Sequence, residues 1–267
     1  MLIDVSCYAG HWPFRMLKNN SVQGVCDNAE KHGITHVVIA SLNSVFYKDP
    51  GDGNRELMEE IKACKTPVKI LPLAVVNPMR PNWEKLARKA ILEEGFCGFE
   101  IFPDYHGYGF LPHFSTYERT YPAAQVMKLA KELGVPVRIC AAFENYRQRH
   151  YMDMQNDVPG KDIFPLISEY PGVSVIITGA NIGGLGEDIK NYAKEHDNIF
   201  FDISRLDGYA YHPTKNLLNY VDAGHLCFGT LSPFQYIEPN LLKLVYYDDL
   251  KNQGIEADNV KKIFPQI

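Results

Sequence analysis

The 267-residue chain is defined first by what it lacks. It has no run of about 18 consecutive apolar residues, so a membrane-spanning helix is not expected. Positive charge is not in excess. The chain has 27 Lys and Arg against 32 Asp and Glu, a formal net charge of -5, and its basic residues are scattered. A nucleic acid or an anionic membrane surface would find no electrostatic footprint there. There is no Cys-x-x-Cys pair. The six cysteines (Cys7, Cys26, Cys64, Cys97, Cys140, Cys227) are too widely spread for a small disulfide framework and read as reduced thiols of a cytoplasmic protein. The N-terminus runs into an apolar strand without a basic region or a long apolar stretch, so secretion is not expected. A small-molecule substrate or ligand is left as the expected partner, and a homo-oligomer is permitted but not specified.

Ordinary globular material is present: 46% hydrophobic and 22% charged residues, enough for a large core. Short β-rich runs alternate with helical periodicity from end to end. "LIDVS" (2–6), "THVVIAS" (35–41), "KILPLAVV" (69–76), "CGFEIFP" (97–103), "VPVRICA" (135–141), "GVSVIIT" (172–178), "NIFFDIS" (198–204) and "HLCFGT" (225–230) read as strands. Amphipathic segments near 20–32, 54–64, 82–95, 121–134, 162–169, 184–195, 213–222 and 239–254 read as the helices between and after them. Eight strand and helix pairs without a linker predict a single α/β domain over 1–267, a (β/α)8 TIM barrel, with an open doubly wound sheet as the alternative. Segments leaving the strands are long and polar (43–54, 104–120, 143–160), whereas those entering them are short, which places the chemistry at the C-terminal face.

The ordered series "IDVSCYAG", "AVVNP", "GFEIFPDYHGY", "KELGVPVRI", "GANIGG", "NIFFDIS" and "HLCFGTLSPF" resembles the amidohydrolase-related barrels, the amidohydrolase 2 branch of that superfamily, over nearly the whole chain. The resemblance implies a hydrolase or a lyase. It also implies a metal site, and here the sequence departs from the pattern. The first-strand His-x-His falls on Ser6 and Tyr8, the strand-five His on Cys140, the strand-six His on Asn181 and the strand-eight Asp on Leu231. The usual Asn-Ala-Ala-Arg-like segment near the C-terminus is missing as well. Leu231 can donate nothing to a metal, and Ser, Tyr and Asn are poor zinc ligands. The expectation is therefore no metal and no cofactor.

Without a metal to activate water, the chemistry must rest on acid and base groups. Glu100, Asp202 and His106 are the candidate catalytic residues: two carboxylates on strands and a histidine on a glycine-hinged segment. Arg15, Tyr8, Tyr105, Arg147, His150 and Asn181 are the candidate substrate-binding residues, with Arg147 and His150 expected to face the same cavity as Glu100 and to hold an anionic group. Each has a structural alternative. "AGHWPFR" can close the barrel as a plug, the 144–154 segment can be a solvated turn, and Cys140 is more often a small core residue than a nucleophile. The reading is a metal-independent enzyme acting on a small polar, anionic carbonyl compound such as a sugar-acid lactone. The alternative is a catalytically silent barrel that binds a metabolite or a protein partner.

Overall fold

The computed structural model describes residues 1–108, 122–186, 189–206, 218, 221–246 and 254–267. Its strands are β1 (Ile3–Ala9), β2 (His36–Ser41), β3 (Lys69–Pro72), β4 (Ala74–Val75), β5 (Phe99–Ile101), β6 (Val137–Cys140), β7 (Val175–Thr178), β8 (Ile199–Asp202) and β9 (Leu226–Cys227). All neighbouring pairs are parallel, in the orders β1-β2-β3 and β4 through β9. Leu73 alone separates β3 from β4, and its N–H still donates to Ile39 O at 2.8 Å, so the run predicted as one strand is a single barrel strand with a local break. At the other seam Val5 N donates to Phe228 O (3.0 Å) and Tyr8 N to Ser232 O (2.8 Å), which brings the last strand to the first. The molecule is the expected α/β barrel.

The helices are α1 (Val22–Lys31), α2 (Asn43–Phe46), α3 (Pro50–Ala63), α4 (Trp83–Leu92), α5 (Pro122–Leu133), α6 (Gly160–Glu169), α7 (Ile182–Leu185), α8 (Ile189–Glu195), α9 (Glu238–Tyr246) and α10 (Asp258–Ile263). Local chemistry explains where several begin. Ser21 Oγ accepts from Gly24 N to cap α1. Asp49 accepts from Gly51 N, and Pro50 supplies a preset first turn for α3. That second cap corrects the sequence reading: most of 43–54, expected to be a long loop, is folded into α2 and the start of α3. The helix expected near 213–222 lies largely outside the described residues.

Most strand residues are buried on both faces, as parallel sheets require. Alternation divides them between two cores. Phe99, Ile101, Val137, Ile139, Val175 and Ile177 face the helices. Ile3, Val5, Tyr8, Val38, Ala40, Cys140, Ile176 and Phe200 fill the barrel interior. The C-terminal segment closes the bottom: Ile3 N donates to Glu256 O, Asn259 Nδ2 donates to Leu226 O, and Val260, Ile263 and Phe264 are buried against the interior core.

Candidate functional site

Alternation also turns Glu100 and Arg138 inward, since their strand neighbours face the helices. They are register partners on β5 and β6. Arg138 Nε donates to Glu100 Oε2, and both side chains are fully buried. The remaining donors of Arg138 reach main-chain oxygens of two other strands: Nη1 to Val5 O (2.6 Å) and Val38 O (2.9 Å), Nη2 to Cys7 O (3.3 Å). Its guanidinium carbon lies 4.6 Å from the centre of the Tyr8 ring, and the Tyr8 hydroxyl reaches Thr178 Oγ1 (3.0 Å) and, more weakly, Glu100 Oε1 (3.5 Å). Burial pushes Glu100 up to about 7, opposed by the Arg138 charge and its hydrogen bond.

A second buried carboxylate occupies the seam. Asp202 accepts from Gly179 N (3.0 Å) and Ser204 Oγ (2.6 Å), and Ser6 is a further partner. Burial raises it, and those hydrogen bonds oppose the rise. Gly179 has a φ of +67°, and a Cβ there would lie 1.8 Å from Ala142 O, so only glycine lets these strand ends approach. Ser6 sits where β1 shifts register, and its Oγ accepts from Leu231 N at 3.0 Å.

Above these groups the mouth is packed with rings. Trp12 is 1% exposed and lies 4.9 to 5.6 Å, centroid to centroid, from Phe14, Phe46, Tyr105, Phe143 and Phe234. Phe143 in turn stacks on Phe102 and Phe234 and meets Tyr8 edge-on at 5.0 Å. Such pairs add roughly 0.5–1.5 kcal/mol each beyond their buried area. Trp12 of "AGHWPFR" thus forms the middle of a plug, while Arg15 of the same segment stays exposed beside it.

Glu100 and Asp202 lie beneath the plug. They are 0% and 1% exposed, and a base must reach the proton it takes. His106 also stands apart. Burial pulls it down to about 4, so it is a neutral ring beside the Ser44 and Val45 backbone, packed on Phe102. Asn181 caps α7 by accepting from Gly184 N. Arg147 and His150 are exposed, whereas Glu100 is buried beneath the plug. Arg147 lies over Tyr146, and His150 stacks near Phe14 and Tyr151. The arginine that turns inward from that segment is Arg149, which binds Glu144 O, Gln155 O and Asp157 and so fastens the segment to itself.

A second set of polar groups gathers at the rim, with Arg15 as its exposed member. Arg15 Nε pairs with Glu144 Oε1 at 2.8 Å, and Arg15 Nη2 donates to Phe234 O at 2.7 Å. The Arg15 side chain is 44% exposed, whereas that of Glu144 is only 4% exposed. Burial raises Glu144, against the charges of Arg15, Arg149 and Arg205. Arg205 reaches Asp157 at 3.6 Å and Gly179 O at 2.9 Å. Tyr105 donates to Asp153 at 3.1 Å. Glu144, Arg205 and Arg138 are not among the candidates drawn from the sequence. A charged residue in the middle of the apolar run "VPVRICA" was the available signal for Arg138.

The metal that the resemblance implies does not fit the described residues of this centre. Ser6 and Asn181 are committed to backbone N–H groups, Leu231 carries no donor atom, and a guanidinium already lies among the remaining polar side chains. A second positive charge there would face repulsion.

Neither a family model nor a curated protein matches the sequence. Solved structures do match in fold. A 2,6-dihydroxybenzoate decarboxylase shares 13% identity at a TM-score of 0.66, over 99% of this chain and 98% of its own. A 5-carboxyvanillate decarboxylase from Sphingomonas paucimobilis shares 11% at 0.66, over 99% and 98%. An amidohydrolase 2 from Bifidobacterium longum subsp. infantis shares 12% at 0.59, over 99% of both. The expected likeness to amidohydrolase-related barrels is therefore borne out in the fold, and these neighbours are named as enzymes. Among the described residues no helix is long and apolar enough to cross a membrane.

Proposed function

We propose that the protein is a metal-independent hydrolase or lyase for small anionic carbonyl compounds, with its chemistry at the rim above the plug. The observation that carries this reading is the Arg15–Glu144 pair: a nearly buried carboxylate with a raised pKa, held by a guanidinium that solvent can reach. An incoming carboxylate would take the donors of Arg15, as planar bidentate recognition favours. That exchange would free Glu144 to accept a proton beside Arg149 and Arg205. A positioned base contributes about 10² to 10⁴ in rate. Such a gain suits opening a lactone or breaking a bond next to a carbonyl, and falls short of hydrolysing an unactivated amide. Two of the fold neighbours are named for aromatic carboxylic acids, which supports an anionic substrate.

One observation favours the silent barrel: the centre where the fold family does its chemistry is filled by Tyr8, Trp12, Phe143 and Leu231. The test separates the two readings. Wild type and Glu144→Gln are assayed with EDTA present against sugar lactones, activated esters and small aromatic acids, with a thermal-shift screen of the same compounds. Turnover that survives EDTA and is lost in Glu144→Gln supports the rim enzyme. A thermal shift without turnover moves the assignment to the silent binding barrel.

A further inference from the structure

Away from the mouth, α1 and the end of α3 are joined in register. Val22 N donates to Glu60 Oε2 at 2.8 Å, and the Gln23 side chain brackets Lys65, donating to its carbonyl at 3.0 Å and accepting from its N–H at 2.9 Å. About one turn further along α1 the same register sets Cys26 against Cys64, which packs on the core that holds Cys26, and each thiol acts on the other's ionisation. Cys26 is 0% exposed, whereas Cys64, the C-cap of α3, is half-buried. Cys7 also lies near Cys26, but its thiol is engaged with Asp4.

We propose that Cys26 and Cys64 are a dithiol that a peroxide converts to a disulfide, with Cys64 attacking and Cys26 resolving. The sulfur of Cys64, as its thiolate, attacks one peroxide oxygen and breaks the O–O bond. This gives a sulfenic acid and a hydroxide that takes up a proton. The Cys26 sulfur then attacks the Cys64 sulfur, the S–O bond breaks, and the departing oxygen leaves as water with the thiol proton. Overall, two thiols and one peroxide give one disulfide and two waters. Burial pushes Cys26 up to about 12 and raises Cys64 as well, so the pair rests as protonated thiols rather than as a pre-ionised sensor.

The experiment treats the full chain with hydrogen peroxide, blocks remaining thiols with N-ethylmaleimide after unfolding, and maps the peptides by mass. Sulfoxide at Met16, which is 95% exposed, shows that the oxidant acted. The expected result is a Cys26–Cys64 linked peptide that thiol reductant dissolves. In Cys26→Ser, Cys64 should pass to sulfinic acid for want of a resolving thiol. In Cys64→Ser, which changes the less buried partner, Cys26 should remain alkylatable. A Cys7–Cys26 link, or both thiols fully alkylated in wild type once Met16 is oxidised, overturns the proposal.

Discussion

The barrel centre and the barrel rim hold similar chemical groups under opposite conditions. Both contain a carboxylate paired with an arginine. At the centre Glu100 and Arg138 have no exposed side-chain surface, and most of the arginine's donors are spent on the backbone of β1 and β2. At the rim Glu144 is covered while Arg15 stays open to water. The difference teaches that a raised pKa has two meanings. In a sealed pair it measures the cost of burying charge, and beside an accessible partner it can prepare a base.

The largest expected effect comes from breaking the centre. Arg138→Met leaves Glu100 buried without its counter-charge and deprives the Val5, Val38 and Cys7 carbonyls of their donors, so it should destabilise the fold by about 3–5 kcal/mol. Chemical denaturation of the variant beside Glu144→Gln checks this. Equal losses from both would erase the distinction between centre and rim. Trp12→Ala should come next, at roughly 3 kcal/mol, because it empties the middle of the plug. Trp12→Phe should cost less than about 1.5 kcal/mol, since the buried indole N–H has no acceptor to lose.

Much of the barrel could be read from the sequence because its signals are local. "VPVRICA" and Val137–Cys140 coincide, as do the helical run 121–134 and Pro122–Leu133. The start of α3 was hidden by its glycines, Gly51 and Gly53, although Asp49 and Pro50 carried the cap signal. The candidate site was harder to read because it depends on pairings distant in sequence. Arg15 meets Glu144, and Arg138 meets Glu100, only after the strands are in register. The same limit affected Arg147 and His150. Their segment does leave the fifth barrel strand beside the fourth, as expected, but Arg149 turns it back on Glu144 O and Asp157. Sequence proximity to a strand end could not reveal that fold-back.

A pH series sharpens the comparison at the centre. Glu100 is raised from its ordinary 4.5 to about 7, so the folded protein favours the neutral acid. Below pH 4.5 both folded and unfolded chains are protonated there, and that contribution to stability is fully present. It is lost as pH rises from about 4.5 through 7. Glutamine mimics the neutral acid at every pH. Glu100→Gln should therefore abolish that fall, with denaturation midpoints that stay flat across the window where those of wild type decline. Denaturation midpoints of both proteins from pH 4.5 to 8 test the sign. If Arg138 instead held Glu100 below its ordinary value, the trend would run the other way.

The smallest effects on stability belong to the rim, and there activity is the readout that separates residues. Arg15 pairs with Glu144 from a half-open position, so Arg15→Gln should shift stability by no more than about 1 kcal/mol. Arg147 is exposed over Tyr146, and Arg147→Ala should stay within about 0.5 kcal/mol. On an anionic substrate the two variants should part. Losing the guanidinium that receives the substrate carboxylate should raise KM about tenfold or more with a smaller change in kcat, because that contact is made in ground state and transition state alike. Arg147→Ala should leave both constants near wild type. If Arg147→Ala raised KM as much as Arg15→Gln, the exposed turn would belong to the site, and the rim as drawn from Arg15 and Glu144 would be too small.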